Sequence, residues 1–249
     1  MAKKLSLIYV KILKWSKIMR IGGFQKFSMS DFPGRISAIL FTTGCNFRCP
    51  YCHNPELVLP EKFNPDINIK EIFAFLDRRI GKLDGVVITG GEPTLHDDLP
   101  DLISNIKDLG YDVKLDTNAT NPAMIYELLR EELLDYIAMD YKAPMENYHI
   151  ATGLKDDYKD YKSKIQETLV LLMTSNIDYE IRTTVAEQIL NSDDIKQIRN
   201  EVGEACKHYL QKFEPGKTLD PNFSQAEGSQ KHHQELEKLV QETENLFIR

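Results

Sequence analysis

From Ile36 onward the chain alternates between two patterns of hydrophobic and polar positions. Short runs rich in β-branched and apolar residues predict strands at Ile36–Thr43, Val86–Thr89, Tyr111–Asp116, Tyr136–Asp140, Tyr179–Val185 and His208–Phe213. Between them, apolar residues recurring every three or four positions predict helices at Ile69–Ile80, Leu99–Leu109, Pro122–Leu134, Tyr158–Ser175 and Ser192–Ala205. Asn121 followed by Pro122 places a capping residue and a first-turn proline at the start of the third helix. In the fourth, Tyr158, Tyr161, Ile165, Leu169 and Leu172 form one stripe, which reads as a face turned to the core. Strands separated by helices pair in parallel through right-handed crossovers. Six such units predict an α/β fold, a partial (β/α)6 barrel of the TIM-like kind, open on one side. The barrel domain is predicted over residues 21–220. Residues 221–249 read as a C-terminal appendage, polar at Gly228 and Ser229 and then helical and charged.

The bulk numbers narrow the function. A chain of 249 residues, 42% hydrophobic, is long enough for one sizeable core. A formal net charge of -7 gives no electrostatic footprint for nucleic acid. No apolar run approaches the length of a membrane-spanning helix, so no transmembrane segment is expected. The exception to the acidic balance is Met1–Arg20, with Lys3, Lys4, Lys11, Lys14, Lys17 and Arg20 and no acidic residue. Leu5, Ile8, Tyr9 and Ile12 recur there at helical spacing. That pattern fits a membrane-surface helix or an extension that begins upstream of a second start at Met19, and its lysines argue against a signal peptide.

Parallel barrels do their chemistry at the C-terminal ends of their strands. The unusual residues of this sequence fall at those ends: Gly44-Cys45, Gly90-Gly91-Glu92-Pro93, Asp116-Thr117-Asn118, Asp140 with Lys142, Thr183-Thr184, and Glu214-Pro215-Gly216. Of four cysteines, Cys45, Cys49 and Cys52 are spaced C-x3-C-x2-C. That clustering reads as a metal site in a reducing, cytoplasmic setting rather than as a disulfide framework. Thiolates select zinc or iron–sulfur centres. Zinc wants four closed ligands, and His53 would have to fold back tightly to supply the fourth. Cys206 precedes the sixth predicted strand, near the opposite end of the barrel, and is a poor ligand candidate. Three thiolates on a cubane leave one iron open to a cofactor or substrate.

The segment Gly44 to Asn54, with Tyr51 before the last cysteine, followed by Gly90-Gly91-Glu92-Pro93, resembles the signature of radical S-adenosylmethionine (SAM) enzymes. The resemblance runs from about Phe24 to Pro215. In the cysteine loop and in Asp116-Thr117-Asn118 it is closest to the activating enzymes of glycyl radical proteins. The opening with Ser28, Asp31, Pro33 and Gly34 is similar to activators of anaerobic ribonucleoside-triphosphate reductase. The resemblance implies a [4Fe–4S] cluster on Cys45, Cys49 and Cys52. It implies that Gly90, Gly91 and Glu92 meet the amino group of SAM, and that Asp116, Thr117 and Asn118 contact the cofactor, the Asp-Thr pair helping to bind a monovalent cation. Tyr51, Asn54 and Thr184 are further cofactor-binding candidates, and Asp140 and Lys142 are candidates beside the cofactor or the target glycine. Reductive cleavage of SAM would give a 5′-deoxyadenosyl radical that takes a hydrogen from a glycine of a partner protein. A low-potential donor such as flavodoxin or ferredoxin would supply the electron.

Other readings remain open at this point: an activator of pyruvate formate-lyase, a small-molecule enzyme such as a 7-carboxy-7-deazaguanine synthase, or a non-catalytic iron–sulfur or zinc module. The last explains the cysteines but not Glu92, Asp116 and Asp140 at successive strand ends. His149, His208, His232 and His233 have no supporting constellation and read as surface or structural.

Overall fold

Alternate residues of each strand point to opposite faces of a sheet, and here the two faces have different company. The structure, a computed structural model, describes residues 19–154, 158–223 and 230–249. The basic segment predicted over Met1–Arg20 therefore lies, up to residue 18, outside the described residues, as does the side chain of His233. One sheet runs in chain order: β1 (Ile21–Ser28), β2 (Ser37–Thr42), β3 (Gly85–Gly90), β4 (Asp112–Thr117), β5 (Tyr136–Asp140), β6 (Asp178–Val185), β7 (His208–Lys212) and β8 (Leu246–Ile248). β1 pairs antiparallel with β2, and all later pairs are parallel. The helices are α1 (Pro55–Val58), α2 (Ile69–Arg79), α3 (Leu99–Asp108), α4 (Pro122–Arg130), α5 (Tyr148–Thr152), α6 (Tyr158–Thr174), α7 (Ser192–Val202) and α8 (Gln230–Glu242).

The six predicted strands are β2–β7, each within one residue of its expected bounds. Three of the five predicted helices end one residue early, and α4 and α7 stop at Arg130 and Val202, well short of the predicted Leu134 and Ala205, for local reasons. Glu132 adopts a left-handed φ of 52° just past α4, and Gly203, with φ 83°, follows α7. Asn121 caps α4 as expected, accepting from Met124 N at 3.3 Å. Leu40, Ile88, Leu115, Met139 and Ile181 face outward and are fully buried in one core with Ile72, Ile103, Ile125 and Ile198 of the helices. Of the predicted α6 stripe, Ile165, Leu169 and Leu172 are buried in that core and Tyr161 packs on it; the Tyr158 side chain lies outside the description.

On the inner face, Ile39, Val87 and Tyr136 meet Phe32, which reaches in from the β1–β2 connection. The Phe32 ring is fully buried, 6.1 Å from that of Tyr136, and plugs the N-terminal end of the barrel with apolar groups. Charged side chains lie above that plug, and the cavity described below lies above them. The appendage also joins this frame: after α8 the chain returns as β8, whose Leu246 and Phe247 pair with His208 and Tyr209 of β7. No helix among the described residues is long and apolar enough to cross a membrane.

His208 gives the fold a pH signature. It is fully buried, with Nε2 2.8 Å from Thr183 Oγ1 and, among the described residues, no partner for Nδ1. Burial, with Arg199 nearby, pushes its pKa down to about 3. The unfolded chain therefore takes up a proton below pH 6.5 that the native chain refuses, and stability is lost as pH falls from that value toward 3. Urea unfolding should show a loss of about 2 kcal/mol between pH 6.5 and pH 5. His208→Gln should flatten that decline; an equally steep decline in the variant would assign it elsewhere.

Candidate active site

The cysteine loop leaves β2 at the C-terminal rim and is held from several directions. Gly44 N donates to Leu57 O (2.7 Å), and Gly44 O accepts from Glu92 N (2.8 Å). A Cβ on Gly91 would lie 2.0 Å from Gly44 O, so the two loops cross where no larger residue fits. Arg48 N donates to Thr152 O of α5 at 2.8 Å, and the Arg48 guanidinium donates to Cys45 O at 2.6 Å. Phe47 is buried edge-on against Tyr148 and Tyr161. From the far end of the chain, Leu219 N donates to Cys52 O (2.8 Å) and Asp220 N to Pro50 O (3.1 Å). Phe223 follows, its ring 6.1 Å from that of Tyr51.

This loop walls a cavity of about 380 Å³ into which all three thiols open. The strand ends supply the other walls: Thr89 to Glu92 from β3, Asp116 to Asn118 from β4, Asp140 and Lys142 from β5, Thr184 from β6, and Gln211 to Phe213 from β7. Residues from six successive strand ends around one space mean that the sheet curls into the predicted partial barrel. Burial pushes the Cys45 thiol up to about 12 and Cys49 to about 11, and Cys52 moves the same way. Lys142 opposes the rise at all three, easing the proton loss that metal binding requires. Cys206 is buried elsewhere, beside Arg199. Among the described residues no three His, Cys, Asp or Glu side chains converge on the place of a single metal ion. Tetrahedral zinc, with bonds of about 2.3 Å to sulfur, needs such convergence. A cubane carries its irons at separate corners, and thiols spread around one cavity suit it. The Tyr51 hydroxyl is buried against the Cys49 thiol, close to where a cluster's sulfurs would offer it an acceptor.

Glu92 is fully buried, and its carboxylate ties two loops together. Oε1 accepts from Thr94 N (3.1 Å), Thr94 Oγ1 (2.6 Å) and Thr117 Oγ1 (2.7 Å), and Oε2 accepts from Asn118 N (2.6 Å). Burial raises its pKa, and these donors pull against the rise. Asn118 continues the tie: its Nδ2 donates to Asn46 Oδ1 at 2.8 Å, linking the end of β4 to the cysteine loop. Thr117 Oγ1 also accepts from Ala119 N at 3.1 Å.

From the cavity wall inward runs a chain of buried charges. Lys114 Nζ lies 2.9 Å from Asp116 Oδ1, angled as an ion pair rather than an aligned hydrogen bond. Arg182 NH1 donates to Asp116 Oδ2 and its Nε to Asp140 Oδ1, both at 2.9 Å, and Lys142 Nζ donates to Asp140 Oδ2 at 2.8 Å. Burial alone would raise the Asp140 carboxyl, but Arg182 and Lys142 hold it down to about 2. Asp116 is lowered in the same way by Arg182 and Lys114. Burial would lower the Lys142 ammonium, and Asp140 holds it above its usual range instead. Lys114 is the member that the strand pattern did not single out; its signal was a charged residue at an inward position of a buried strand.

The remaining candidates are placed as follows. Thr184 lines the cavity. Asn54 lines its mouth and sits exposed at the start of α1. His53 is exposed there, 5.1 Å from the Phe213 ring. His96 Nε2 lies 2.9 Å from Thr43 O and braces the end of β2.

A fold of this kind, with three rim thiols opening into one cavity, defines a class, and the likeness to known proteins agrees with it. The chain matches the radical SAM superfamily over residues 39–169 and belongs to that superfamily. Such enzymes use a [4Fe–4S] cluster and SAM, and the thiols and cavity here fit both. Over 204 residues, 82% of this chain and 83% of the relative, it is 35% identical to a candidate glycyl-radical enzyme activating enzyme of Methanocaldococcus jannaschii. It is 28% identical to the pyruvate formate-lyase-activating enzyme of Clostridium pasteurianum, over 73% of this chain and 78% of that one. In fold it is similar to a radical SAM methyltransferase from Sphaerobacter thermophilus, with a TM-score of 0.67, 15% identity, and coverage of 90% of this chain and 68% of that one.

Proposed function

We propose that this protein generates a glycyl radical on a partner protein, and that the partner is an anaerobic ribonucleoside-triphosphate reductase. The match across most of both chains to the Methanocaldococcus activating-enzyme relative carries the first half. The opening with Ser28, Asp31, Pro33 and Gly34 supports the second. When bound, the cluster and SAM together supply a one-electron cleavage ending in a carbon-centred radical that can take a hydrogen atom. The chain's own residues do the positioning. Cys45, Cys49 and Cys52 would hold the cluster, and Gly90 and Gly91 line the wall beside the methionine end of SAM. Asp116, Thr117, Asn118, Thr184 and Asn54 would frame the rest of it, with Tyr51 beside Cys49. Lys142, with donors at the cavity wall and Asp140 fixing it, stands where the backbone of an incoming glycine loop would pass. A flavodoxin or ferredoxin in the cytoplasm supplies the electron.

A second reading, activation of pyruvate formate-lyase, is favoured by the Clostridium relative. Anaerobic incubation with dithionite, SAM and either candidate partner separates the two. A glycyl doublet in the electron paramagnetic resonance spectrum is expected with the reductase. A doublet with the lyase alone supports the second reading. SAM cleavage without a doublet on either partner points to a small-molecule substrate.

A further inference from the structure

The family resemblance brings a monovalent cation to the Asp-Thr pair, and the side chains found there do not fit one. Asp116 and Asp140 together have four carboxylate oxygens, and each faces a cationic nitrogen of this chain. Asp116 Oδ1 has Lys114 Nζ at 2.9 Å, and Asp116 Oδ2 has Arg182 NH1 at 2.9 Å. Asp140 Oδ1 has Arg182 NH2 at 2.9 Å, and Asp140 Oδ2 has Lys142 Nζ at 2.8 Å. Three cations (Lys114, Arg182, Lys142) against two anions (Asp116, Asp140) leave the group at +1. A bound sodium or potassium ion would bring it to +2. None of these side chains is more than 23% exposed, so solvent would screen the added repulsion poorly.

Lys114 decides the balance. It lies two residues before Asp116 on the same inward face of β4, and its side chain is 3% exposed. Its Nζ donates to Asp31 O at 2.6 Å, which anchors it to the β1–β2 connection. Without it the group would be neutral and Asp116 Oδ1 would lack a counter-charge. An ammonium head is close to a potassium ion in size and equal to it in charge.

We propose that the Lys114 ammonium stands in for the monovalent cation, so that this protein binds SAM without sodium or potassium. Lys114 is a positioning residue: it holds Asp116 and does not itself reach the cavity wall. The inference rests on the cavity being the seat of SAM and is indifferent to which substrate the radical meets.

Anaerobic equilibrium dialysis of the cluster-loaded protein can measure the SAM Kd in sodium, potassium and choline chloride at equal ionic strength. The wild-type values should agree within about twofold, well under the 1.4 kcal/mol that a tenfold change represents. Lys114→Met should bind SAM at least about tenfold more weakly in choline and recover in sodium or potassium. A wild-type Kd that weakens tenfold in choline overturns the inference, and so does a Lys114→Met indifferent to the salt. Should Lys114→Met fail to fold, the wild-type melting temperature gives a second reading. Equality in the three salts supports the inference, and a rise of several degrees with sodium or potassium over choline overturns it. No SAM binding by the wild type in any salt would overturn the seat itself, and the inference with it.

Discussion

Alanine in place of Cys49 should leave a folded chain that carries no cluster and cleaves no SAM. Cys49 is buried at the cavity wall, and the thiol set open to the cavity is Cys45, Cys49 and Cys52. Two thiolates cannot hold a cubane that already lacks its fourth protein ligand. Iron should fall from about four per chain to near none in the anaerobically reconstituted protein. Release of methionine from SAM should fall to background. The fold should survive, because Cys→Ala removes one buried sulfur from a large core. Cys206→Ser supplies the contrast: that thiol lies beside Arg199, away from the cavity, and its loss should leave iron and cleavage unchanged. Full iron content in Cys49→Ala, or cluster loss in Cys206→Ser, would mean that the wrong thiols have been assigned.

Glu92→Gln is the second large effect. Every group around this carboxylate donates: two backbone N–H groups and two threonine hydroxyls. A threonine hydroxyl can rotate to accept, whereas a backbone N–H cannot. Whichever way the substituted amide turns, its NH2 therefore meets Thr94 N–H or Asn118 N–H in a fully buried place. Stranding a buried donor costs about 1–3 kcal/mol. For a chain of this size that is a drop in melting temperature of roughly 3–10 °C. The β3 and β4 loops would also lose their common fixed point, so SAM affinity should fall by about tenfold or more, the equivalent of 1.4 kcal/mol. A variant with unchanged melting but weakened SAM binding would mean that Glu92 serves the cofactor directly rather than the loops.

Much of the fold was legible because β2–β5 are largely buried on both faces and the helices between them are strongly periodic. The parts missed lacked those signals. β1 reads IGGFQKFS, with two glycines, and its middle is partly or fully exposed. β8 is three residues in a charged tail and is a strand because β7 offers it an edge. The short helices α1 and α5 owe their shape to contacts with the cysteine loop rather than to periodicity. In the site, the thiols could be read from spacing and the strand-end loops from position. Which groups touch which could not. Glu92 faces four donors of its own chain, and Arg182 of β6 bonds Asp140 of β5 and reaches past that strand to Asp116 of β4. Both facts depend on strand register, which brings Asp140 level with Arg182 and is not written in either segment alone.

The bonds from Leu219 and Asp220 to the carbonyls of Cys52 and Pro50 impose an order on the birth of the protein. The thiols leave the ribosome early, and the segment that seals their loop leaves about 170 residues later, roughly 10–30 s at ordinary elongation rates. During that interval the three thiols belong to an unfinished chain. Iron and sulfide delivered then would meet a loop without its last supports, so firm seating of a cluster is expected only once the nearly complete polypeptide has emerged.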